Sequence, residues 1–324
     1  MKCGNILKIK MLINNLLLFF TSAFFMVISA VFLVKSLSKI TRVLKISEFV
    51  ISFLIIGIAT SLPELFTGIS SAISGNPALS LGNIIGANIL NMTLVVGILI
   101  IFSRGMEIKK NIMKNEAKLM MFSIFLLIIL YLIGNSLSRT DGIILVSLFC
   151  INIFMTFKKN KKSPMKTNPK KVKGKQSILP WFILVISVLV LFFSSKFAVL
   201  YAKDIALNLA VSQILVGLLL ISIITTLPEL IFGISAVLLK HSDMSLGNQV
   251  GSVFANICFI LGIVAIIHPI KTELVSFLIS SIFMLLAGLF FLFFIKSGKK
   301  LTIKKGIYLI IFYLVFAVVE ILFR

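Results

Sequence analysis

The sequence is poor in acidic residues and in the side chains that soluble enzymes use for metal or nucleophilic chemistry. Its 324 residues include 10 Asp and Glu against 32 Lys and Arg, with three Cys and two His. Cys3, Cys150 and Cys258 form no spaced cluster, which argues against a disulfide framework and a thiolate metal site. His241 and His268 lie at the ends of apolar segments and are not repeated, so we expect neither catalysis nor a bound cofactor.

Charged residues make up only 13% of the chain and hydrophobic residues 59%. With a mean hydropathy of +1.16, the chain has more apolar surface than a soluble core of this length can hide. The net charge of +22 does not indicate nucleic acid, because the basic residues are scattered over short loops between apolar runs. The composition therefore predicts a polytopic membrane protein whose partner is the lipid bilayer.

Apolar runs of about 17–25 residues have the length of helices that cross the hydrocarbon. The first run also fits a signal peptide, because Lys8 and Lys10 precede it, but its length and the lack of a cleavage site favour an uncleaved helix. The sequence predicts an all-α protein with ten transmembrane helices, at 12–35, 49–73, 79–102, 118–134, 140–157, 180–201, 211–239, 245–267, 274–295 and 302–322.

A basic linker at 158–178 separates the fifth run from the sixth. It holds nine lysines with Pro164 and Pro169, so we expect a flexible connector that stays in the cytoplasm. This choice places most of the 32 basic residues inside and both termini outside. We therefore predict a five-helix unit at 1–157 and a second one at 179–324.

The two units repeat one motif. GIATSLPELFTGIS, which begins at Gly57, recurs as SIITTLPELIFGIS from Ser222 at an offset of 165 residues. The same offset carries SLGN at 80–83 to SLGN at 245–248, so the motifs extend over 57–91 and 222–256. Five helices is an odd number, so the second unit enters the membrane inverted. Inverted repeats are typical of transporters whose substrate site lies at the midplane, where the repeats meet.

Of the ten acidic residues, only Glu64 and Glu229 lie near the centre of a predicted helix. A charge at that depth costs about 3 kcal/mol, and such residues mark functional sites or, alternatively, structural hydrogen bonds between helices. Their duplication with identical neighbours favours function. Pro63 and Pro228 precede them directly, so we expect both helices to be kinked or broken there, with carbonyls freed to meet a ligand.

Polar side chains of the two motifs accompany the glutamates. Hydroxyls at helical spacing share a face with each carboxylate, and each following helix carries a polar stripe. For Asn83 and Asn248, near the helix ends, capping and ligation are both open. The pairs Gly82–Gly86 and Gly247–Gly251 indicate close helix packing. The predicted oxygen ligands are Glu64, Glu229, Thr60, Ser61, Thr225, Thr226, Ser252, Asn91 and Asn256.

All of these are hard oxygen donors, without His or Cys, which suits Ca²⁺ or Na⁺ better than zinc or copper. Two ionised glutamates carry −2, a charge that is costly to move through a membrane unless it is compensated. One Ca²⁺, two Na⁺ or two H⁺ would compensate it. The site therefore predicts exchange of cations, since the empty carrier should not move.

At these residues the chain resembles the sodium/calcium exchanger family of cation/Ca²⁺ antiporters, in particular its ten-helix prokaryotic members. The resemblance implies a prokaryotic cell membrane, a central four-helix site and sliding of helices one and six past it. It implies that Glu64 and Glu229 bind both Ca²⁺ and Na⁺, that Thr60 and Thr225 offer carbonyls to Ca²⁺, and that Asn91 and Asn256 line the central position. The flanking Na⁺ sites would take Ser61, Thr226, Ser252 and the carbonyls of Gly57 and Ser222.

The chain departs from the family pattern at two positions. Ala87 stands where a serine is frequent, and Asn256 stands where prokaryotic members have an aspartate. The first change removes a hydroxyl and the second a titratable charge, so we expect fewer bound Na⁺ than usual. H⁺-coupled Ca²⁺ export is the main alternative, although the acid of a GNxxE motif is absent from both repeats, where Ala87 and Ser252 stand near the positions that would need it. A passive cation channel is a second, and dependence on a counter-ion would separate it from an exchanger.

Overall fold

The fold was obtained as a computed structural model, which describes residues 2–41, 57–107, 110–160, 178–209, 211–297 and 300–322. In this part of the chain, nine helices are long and apolar enough to cross a membrane, and a tenth segment, described only from Gly57, is too short to be counted with them. Numbered in chain order, the spans are span 1, Lys2–Thr41; span 2, Gly57–Thr60 and Leu62–Ile73; span 3, Pro77–Leu90, a π-helical turn Asn91–Val95 and Val96–Phe102; span 4, Lys110–Gly134; span 5, Arg139–Asn160; span 6, Leu179–Leu209; span 7, Gln213–Val216, a π-helical turn Gly217–Ile221 and Ser222–Leu238; span 8, Ser242–Ala255, a π-helical turn Asn256–Ile260 and Leu261–Ile267; span 9, Leu274–Lys296; and span 10, Ile303–Leu322.

These helices confirm the predicted all-α membrane fold. The predicted run 49–73 is described only from Gly57, and most of the basic linker, 161–177, lies outside the described residues. Spans 1 and 6 extend beyond their predicted ends, and span 6 continues through Lys203 and Asp204 to Leu209. Charges do not stop a helix near the membrane surface, where side chains reach water. A helix of this length crosses the bilayer with a tilt.

Pairs of contacts show that the two repeats are related by an approximate two-fold axis. Gly57 packs against the backbone of Gly251, and Gly86 packs against Ser222. Adding 165 to the number of Gly57 and subtracting 165 from that of Gly251 gives Ser222 and Gly86, so the offset converts one contact into the other. Such an exchange of partners is the property of a self-complementary two-fold interface. The repeats therefore face each other through the same surfaces, as the inverted-repeat fold requires.

Two short strand pairings obey the same relation. Strand β1, Met106–Glu107, pairs antiparallel with β2, Lys300–Leu301, which joins the end of span 3 to the start of span 10. An isolated bridge between Leu137 and Ile270 joins the turn after span 4 to the turn after span 8. Met106 pairs with Leu301, and an offset of 164 converts this pair into the other one. The outer spans are thus fastened to the central ones at both membrane surfaces.

The turns that connect spans 2 and 3 and spans 7 and 8 are also equivalent. Gly75 has φ +71° and Lys240 has φ +61°. In each turn the residue in this left-handed conformation donates its N–H to a helix carbonyl, from Gly75 to Ala72 at 3.1 Å and from Lys240 to Val237 at 2.9 Å. This is the usual end of a helix, for which glycine is the favoured residue. Both helix pairs therefore reverse direction within three residues.

Spans 3 and 7 cross at glycines. A Cβ on Gly82 would collide with the carbonyl of Ile214, and one on Gly86 would collide with the carbonyl of Leu218, one turn further along span 7. The expected role of Gly82 and Gly86 in close helix packing is thereby confirmed. This crossing brings span 3 of one repeat against span 7 of the other.

Apolar side chains form two clusters. The larger joins spans 3, 4, 5, 8, 9 and 10 and includes residues of spans 2 and 7. The smaller joins spans 1 and 6 to residues of spans 2, 3 and 7 and includes Phe19, Met26, Leu191 and Val199. In the described part of spans 1 and 6, serine and threonine hydroxyls bond the backbone of their own helix, as Ser29 does to Met26. Spans 1 and 6 therefore pack on the rest of the bundle mainly through apolar contacts.

The glycine crossing yields a stability prediction. We expect Gly82→Ala to lower the free energy of unfolding by about 1–3 kcal/mol, because the added methyl group forces spans 3 and 7 apart. Thermal unfolding of the purified protein in detergent measures the change. Gly134→Ala is the matched control, since its Cβ would meet only the Ser136 Oγ, at 3.7 Å. Equal melting temperatures for the two variants would contradict the packing assigned to Gly82.

Candidate ion-binding site

The two prolines have different effects on their helices. Span 2 is interrupted at Ser61, and Pro63 lies in the first turn of the helix that follows. Span 7 stays helical through Pro228, so the predicted break is absent there. Pro228 still lacks an N–H, which leaves the carbonyl of Ile224 without its helical donor. In span 7 the irregularity lies earlier, in the π-helical turn that ends just before Ser222.

Glu64 and Glu229 are both fully buried, and the helices that carry them, Leu62–Ile73 and Ser222–Leu238, pack against each other. Ser61 donates a hydrogen bond of 3.2 Å to the Oε1 of Glu229. Among the described residues, neither oxygen of Glu64 and not the Oε2 of Glu229 has a hydrogen-bond partner. Unpartnered carboxylate oxygens are costly inside a protein. The structure thus brings the two predicted carboxylates together with most of their lone pairs available to a ligand.

Two threonine–asparagine hydrogen bonds connect the repeats on either side of the glutamates. Thr60 donates to the Oδ1 of Asn248 at 3.3 Å, and Thr225 donates to the Oδ1 of Asn83 at 3.0 Å. The N-caps of these helices are other residues, Asn76 and His241, so Asn83 and Asn248 are not caps. Both asparagines instead belong to the polar interior between the repeats.

Hydroxyls surround the backbone carbonyl at the start of each glutamate helix. Ser252 donates to the Gly57 carbonyl at 3.3 Å, and its Oγ lies 3.3 Å from the hydroxyl of Thr60. In the other repeat, the Ser222 carbonyl accepts from Thr226 at 2.6 Å, and the hydroxyl of Thr225, which donates to Asn83, lies 3.3 Å from the same carbonyl. Ala87 occupies the position equivalent to Ser252 and is fully buried. Ser252 and its equivalent Ala87 therefore differ by one hydroxyl, as the sequence predicts, whereas the hydroxyl that Ser222 has and Gly57 lacks donates to the Leu218 carbonyl of its own helix.

The structure adds a feature that the sequence analysis missed. A π-helical turn begins at Asn91 in span 3, and another begins at Asn256 in span 8. These positions are equivalent, and each turn widens the helix where an asparagine enters the interior. Single π-helical turns occur frequently at functional sites. No residue type predicts a π-helical turn. The sequence analysis therefore identified the repeated asparagines but not the turns that begin at them.

Asn91 and Asn256 have unlike surroundings. The Nδ2 of Asn256 donates to the Oδ1 of Asn88 at 3.0 Å, and its own Oδ1 is buried without a partner. In Asn91 neither side-chain atom has a partner among the described residues. Asn88 is a second residue that the sequence analysis missed, because it lies beside the polar stripe of span 3 and has no counterpart in the second repeat.

A further buried carboxylate belongs to another part of the bundle. Glu320, in the last turns of span 10, is fully buried and accepts a hydrogen bond of 2.9 Å from Ser280 of span 9. The sequence analysis did not select it, because it does not lie near the centre of a predicted helix. Its hydrogen bond links the two outer spans, so we treat it as a packing contact.

The predicted site residues therefore converge between spans 2, 3, 7 and 8. Direct hydrogen bonds connect Thr60, Ser61, Ser252, Glu229 and Gly57, which come from both repeats. The donors that face this interior are carboxylate, hydroxyl, amide and carbonyl oxygens. Such a set suits a partly or fully dehydrated hard cation, and its two carboxylates favour positive charge.

Comparison with known proteins matches both halves of the chain to the same family. The sodium/calcium exchanger protein family matches residues 14–158 and 179–322. Sodium/calcium exchanger MaX1 of Methanosarcina acetivorans is 26% identical over 95% of this chain and 99% of its own length. Putative antiporter CaxA of Alkalimonas amylolytica is 30% identical over 72% of this chain and 74% of its own. An uncharacterized membrane protein of Methanocaldococcus jannaschii is 31% identical over 78% of this chain and 82% of its own.

Solved structures of the sodium-calcium exchanger NCX_Mj share the fold. One obtained with Na⁺ and Sr²⁺ has a TM-score of 0.68 and 27% identity, and covers 94% of this chain and 97% of that one. One obtained with Na⁺ and Ca²⁺ has a TM-score of 0.67 and 28% identity over the same shares. Because the family match includes both glutamate motifs, the chain belongs to the sodium/calcium exchanger protein family and is an integral membrane protein of the cation/Ca²⁺ antiporter class.

Proposed function

We propose that this protein exchanges Ca²⁺ for Na⁺ by alternating access at a site built on Glu64 and Glu229. The observation that carries the proposal is the pair of fully buried carboxylates, contributed one from each repeat, with unpartnered oxygens. Thr60, Thr225 and Asn91 would complete the oxygen set. Transport of both ions by relatives, as the name of MaX1 states, supports the same cargo here.

Charge compensation links the site to exchange. Two ionised carboxylates in a buried site are stable only with positive charge beside them. One Ca²⁺ or two Na⁺ supply the same charge, so either load allows the carrier to change its open side. The unloaded site keeps its full negative charge, which opposes the change. The protein therefore moves one cation species only in return for the other.

The neutral oxygens favour Na⁺ over H⁺ as the coupling ion. Protons neutralise carboxylates directly and need no additional ligands, whereas Na⁺ requires several oxygens to replace its water. Two groups of such oxygens, which we call flanks, accompany the glutamates. One flank is formed by Gly57 and Ser252 and the other by Ser222 and Thr226, and in each the hydroxyl lies at hydrogen-bond distance from the carbonyl. Such flanks suit Na⁺ beside the central position. Because Ala87 supplies no hydroxyl, the flank at Ser222 would bind Na⁺ more weakly than the flank at Gly57.

We also propose that the 158–178 linker lies in the cytoplasm and that both termini lie outside. The support is the positive charge of the linker and of the other loops on its side. The two five-helix units on either side of the linker would then have opposite orientations in the membrane.

Ion dependence tests the coupling. In proteoliposomes loaded with Na⁺ and diluted into Na⁺-free buffer, we expect uptake of radioactive Ca²⁺, because outward Na⁺ movement drives inward Ca²⁺ movement. Loading with K⁺ at equal pH is the control and should give no uptake. Uptake driven only by a pH gradient would replace Na⁺ by H⁺ in the proposal, and rapid Ca²⁺ movement without any counter-ion would indicate a channel.

Removal of one carboxylate charge tests the site. We expect Glu64→Gln or Glu229→Gln to weaken Ca²⁺ transport at least about 100-fold, because loss of a buried partner charge costs about 3–5 kcal/mol. Initial rates over a range of Ca²⁺ concentrations measure the loss. Glu320→Gln is the matched control, since it neutralises another fully buried carboxylate yet retains an oxygen for Ser280. Similar losses in all three variants would remove the special role of the pair.

Orientation has its own test. In a variant without Cys3, Cys150 and Cys258, single cysteines would be placed in the linker at position 167 and at the C-terminus at position 324. We expect a membrane-impermeant maleimide added to intact cells to label position 324 and not position 167. Permeabilised cells provide the control, because both positions should then react. Labelling of position 167 in intact cells would reverse the proposed orientation.

A further inference from the structure

The two asparagines at the centre of the site differ in what holds them. Asn256 donates from its Nδ2 to Asn88, whereas Asn91 has no partner on either atom among the described residues. The positions of Asn91 and Asn256 are equivalent by the 165-residue offset. The two-fold axis therefore predicts an equal partner for each of them.

The missing partner is explained by one substitution between the repeats. The residue equivalent to Asn88 is Val253, which is fully buried and cannot accept a hydrogen bond. The helix Ser242–Ala255, which carries Val253, packs against the turn Asn91–Val95. The helix Pro77–Leu90, which carries Asn88, packs against the turn Asn256–Ile260 in the same way. One repeat thus has an asparagine clamp where the other has an apolar contact.

The clamp decides which end of the Asn256 amide is available. A side-chain amide has a carbonyl oxygen that attracts cations and an NH₂ group that repels them. Because Asn88 binds the NH₂ group, the Oδ1 of Asn256 is the atom that stays without a partner. Asn88 in turn donates weakly to the Met284 Sδ at 3.8 Å, which keeps its own oxygen directed at Asn256. The turn Asn256–Ile260 packs against Leu62–Ile73, the helix that carries Glu64.

We propose that Asn88 is a positioning residue that holds the Asn256 carbonyl oxygen toward the Glu64–Glu229 site, where it acts as a neutral ligand for Na⁺. The inference rests on the proposed Na⁺/Ca²⁺ exchange. Asn88 itself contacts no ion and acts through Asn256. Asn91, without a clamp, is free to turn either end of its amide toward the site.

The primary test is Asn88→Leu, which keeps the volume and removes the acceptor. The freed amide of Asn256 can then rotate and present its NH₂ group. We expect the Na⁺ concentration for half-maximal Ca²⁺ uptake to rise about tenfold, the equivalent of one neutral hydrogen-bonded contact. Exchange of Ca²⁺ for radioactive Ca²⁺ in the absence of Na⁺ should stay within about twofold, because the two glutamates are intact.

A double-mutant cycle separates positioning from structure. Asn256→Ala removes the ligand oxygen and should raise the half-maximal Na⁺ concentration by itself. Asn88→Leu added to that background should then cause no further rise, because its effect passes through Asn256. A full additional rise in the double variant would overturn the inference, as would an unchanged Na⁺ dependence in Asn88→Leu alone.

Three further variants complete the comparison. Asn88→Asp keeps an acceptor for the Asn256 NH₂ group and should not weaken Na⁺ binding. Val253→Leu changes the equivalent position from one apolar residue to another and should leave the Na⁺ dependence unchanged. Asn88→Ala tests the same contact with a smaller side chain if the leucine variant does not fold. Weaker Na⁺ binding in Asn88→Asp, or an equal shift in Val253→Leu, would contradict the clamp.

Na⁺ binding to the purified protein gives a readout that does not depend on transport. Added Na⁺ should raise the melting temperature of the unmodified protein, and Asn88→Leu should need about tenfold more Na⁺ for the same rise. A parallel loss of Na⁺-dependent and Ca²⁺-dependent stabilisation would show a structural role and overturn the positioning role. If Na⁺ drives no Ca²⁺ uptake in the unmodified protein, the proposed exchange fails, while this binding measurement still tests Asn88.

Discussion

The structure depends on the burial of Glu64 beside Glu229, two carboxylates of the same charge in the interior of a membrane protein. Their repulsion and lost hydration must be offset by cations, so the site and its cargo form one electrostatic unit. The surrounding contacts serve this requirement. Glycines let spans 3 and 7 touch through their backbones, and the threonine–asparagine bonds join the repeats without neutralising either carboxylate.

The approximate two-fold symmetry is broken where it bears most on ion binding. Four positions differ between the repeats inside the site, namely Gly57 against Ser222, Ser61 against Thr226, Ala87 against Ser252 and Asn88 against Val253. The carboxylates and the threonines are kept in both repeats, so the central charge is shared equally. The neutral oxygens around it are not. A symmetric frame thus carries an asymmetric arrangement of neutral oxygens, which in the proposed exchange would set the preference among cations of different charge.

Much of this could be predicted from the sequence because the signals repeat. The lengths of the apolar runs predict the transmembrane spans, and the 165-residue offset of the repeated motif pairs Glu64 with Glu229. What could not be predicted depends on distances across the bundle. Span 7 stays helical through Pro228 and has its irregularity in a π-helical turn at Gly217–Ile221, and a turn of this kind has no residue signature. Asn88 could not be recognised either, since its partner lies 168 residues away.

The strand pairings at the two membrane surfaces have a mechanical consequence. They bind the outer spans to the central ones with directional hydrogen bonds, of which the Leu137–Ile270 bridge has N–H···O distances of 2.9 Å in both directions. Spans 1 and 6 contact the bundle chiefly through side chains such as Phe19 and Val199. Apolar contacts have no preferred direction, so a helix that is displaced along this surface exchanges one apolar side-chain contact for another at nearly equal free energy. If the proposed exchange takes place, we therefore expect spans 1 and 6 to move along this apolar surface while the strand pairings hold the other spans together, and the charge bound at the glutamates to determine which position is stable.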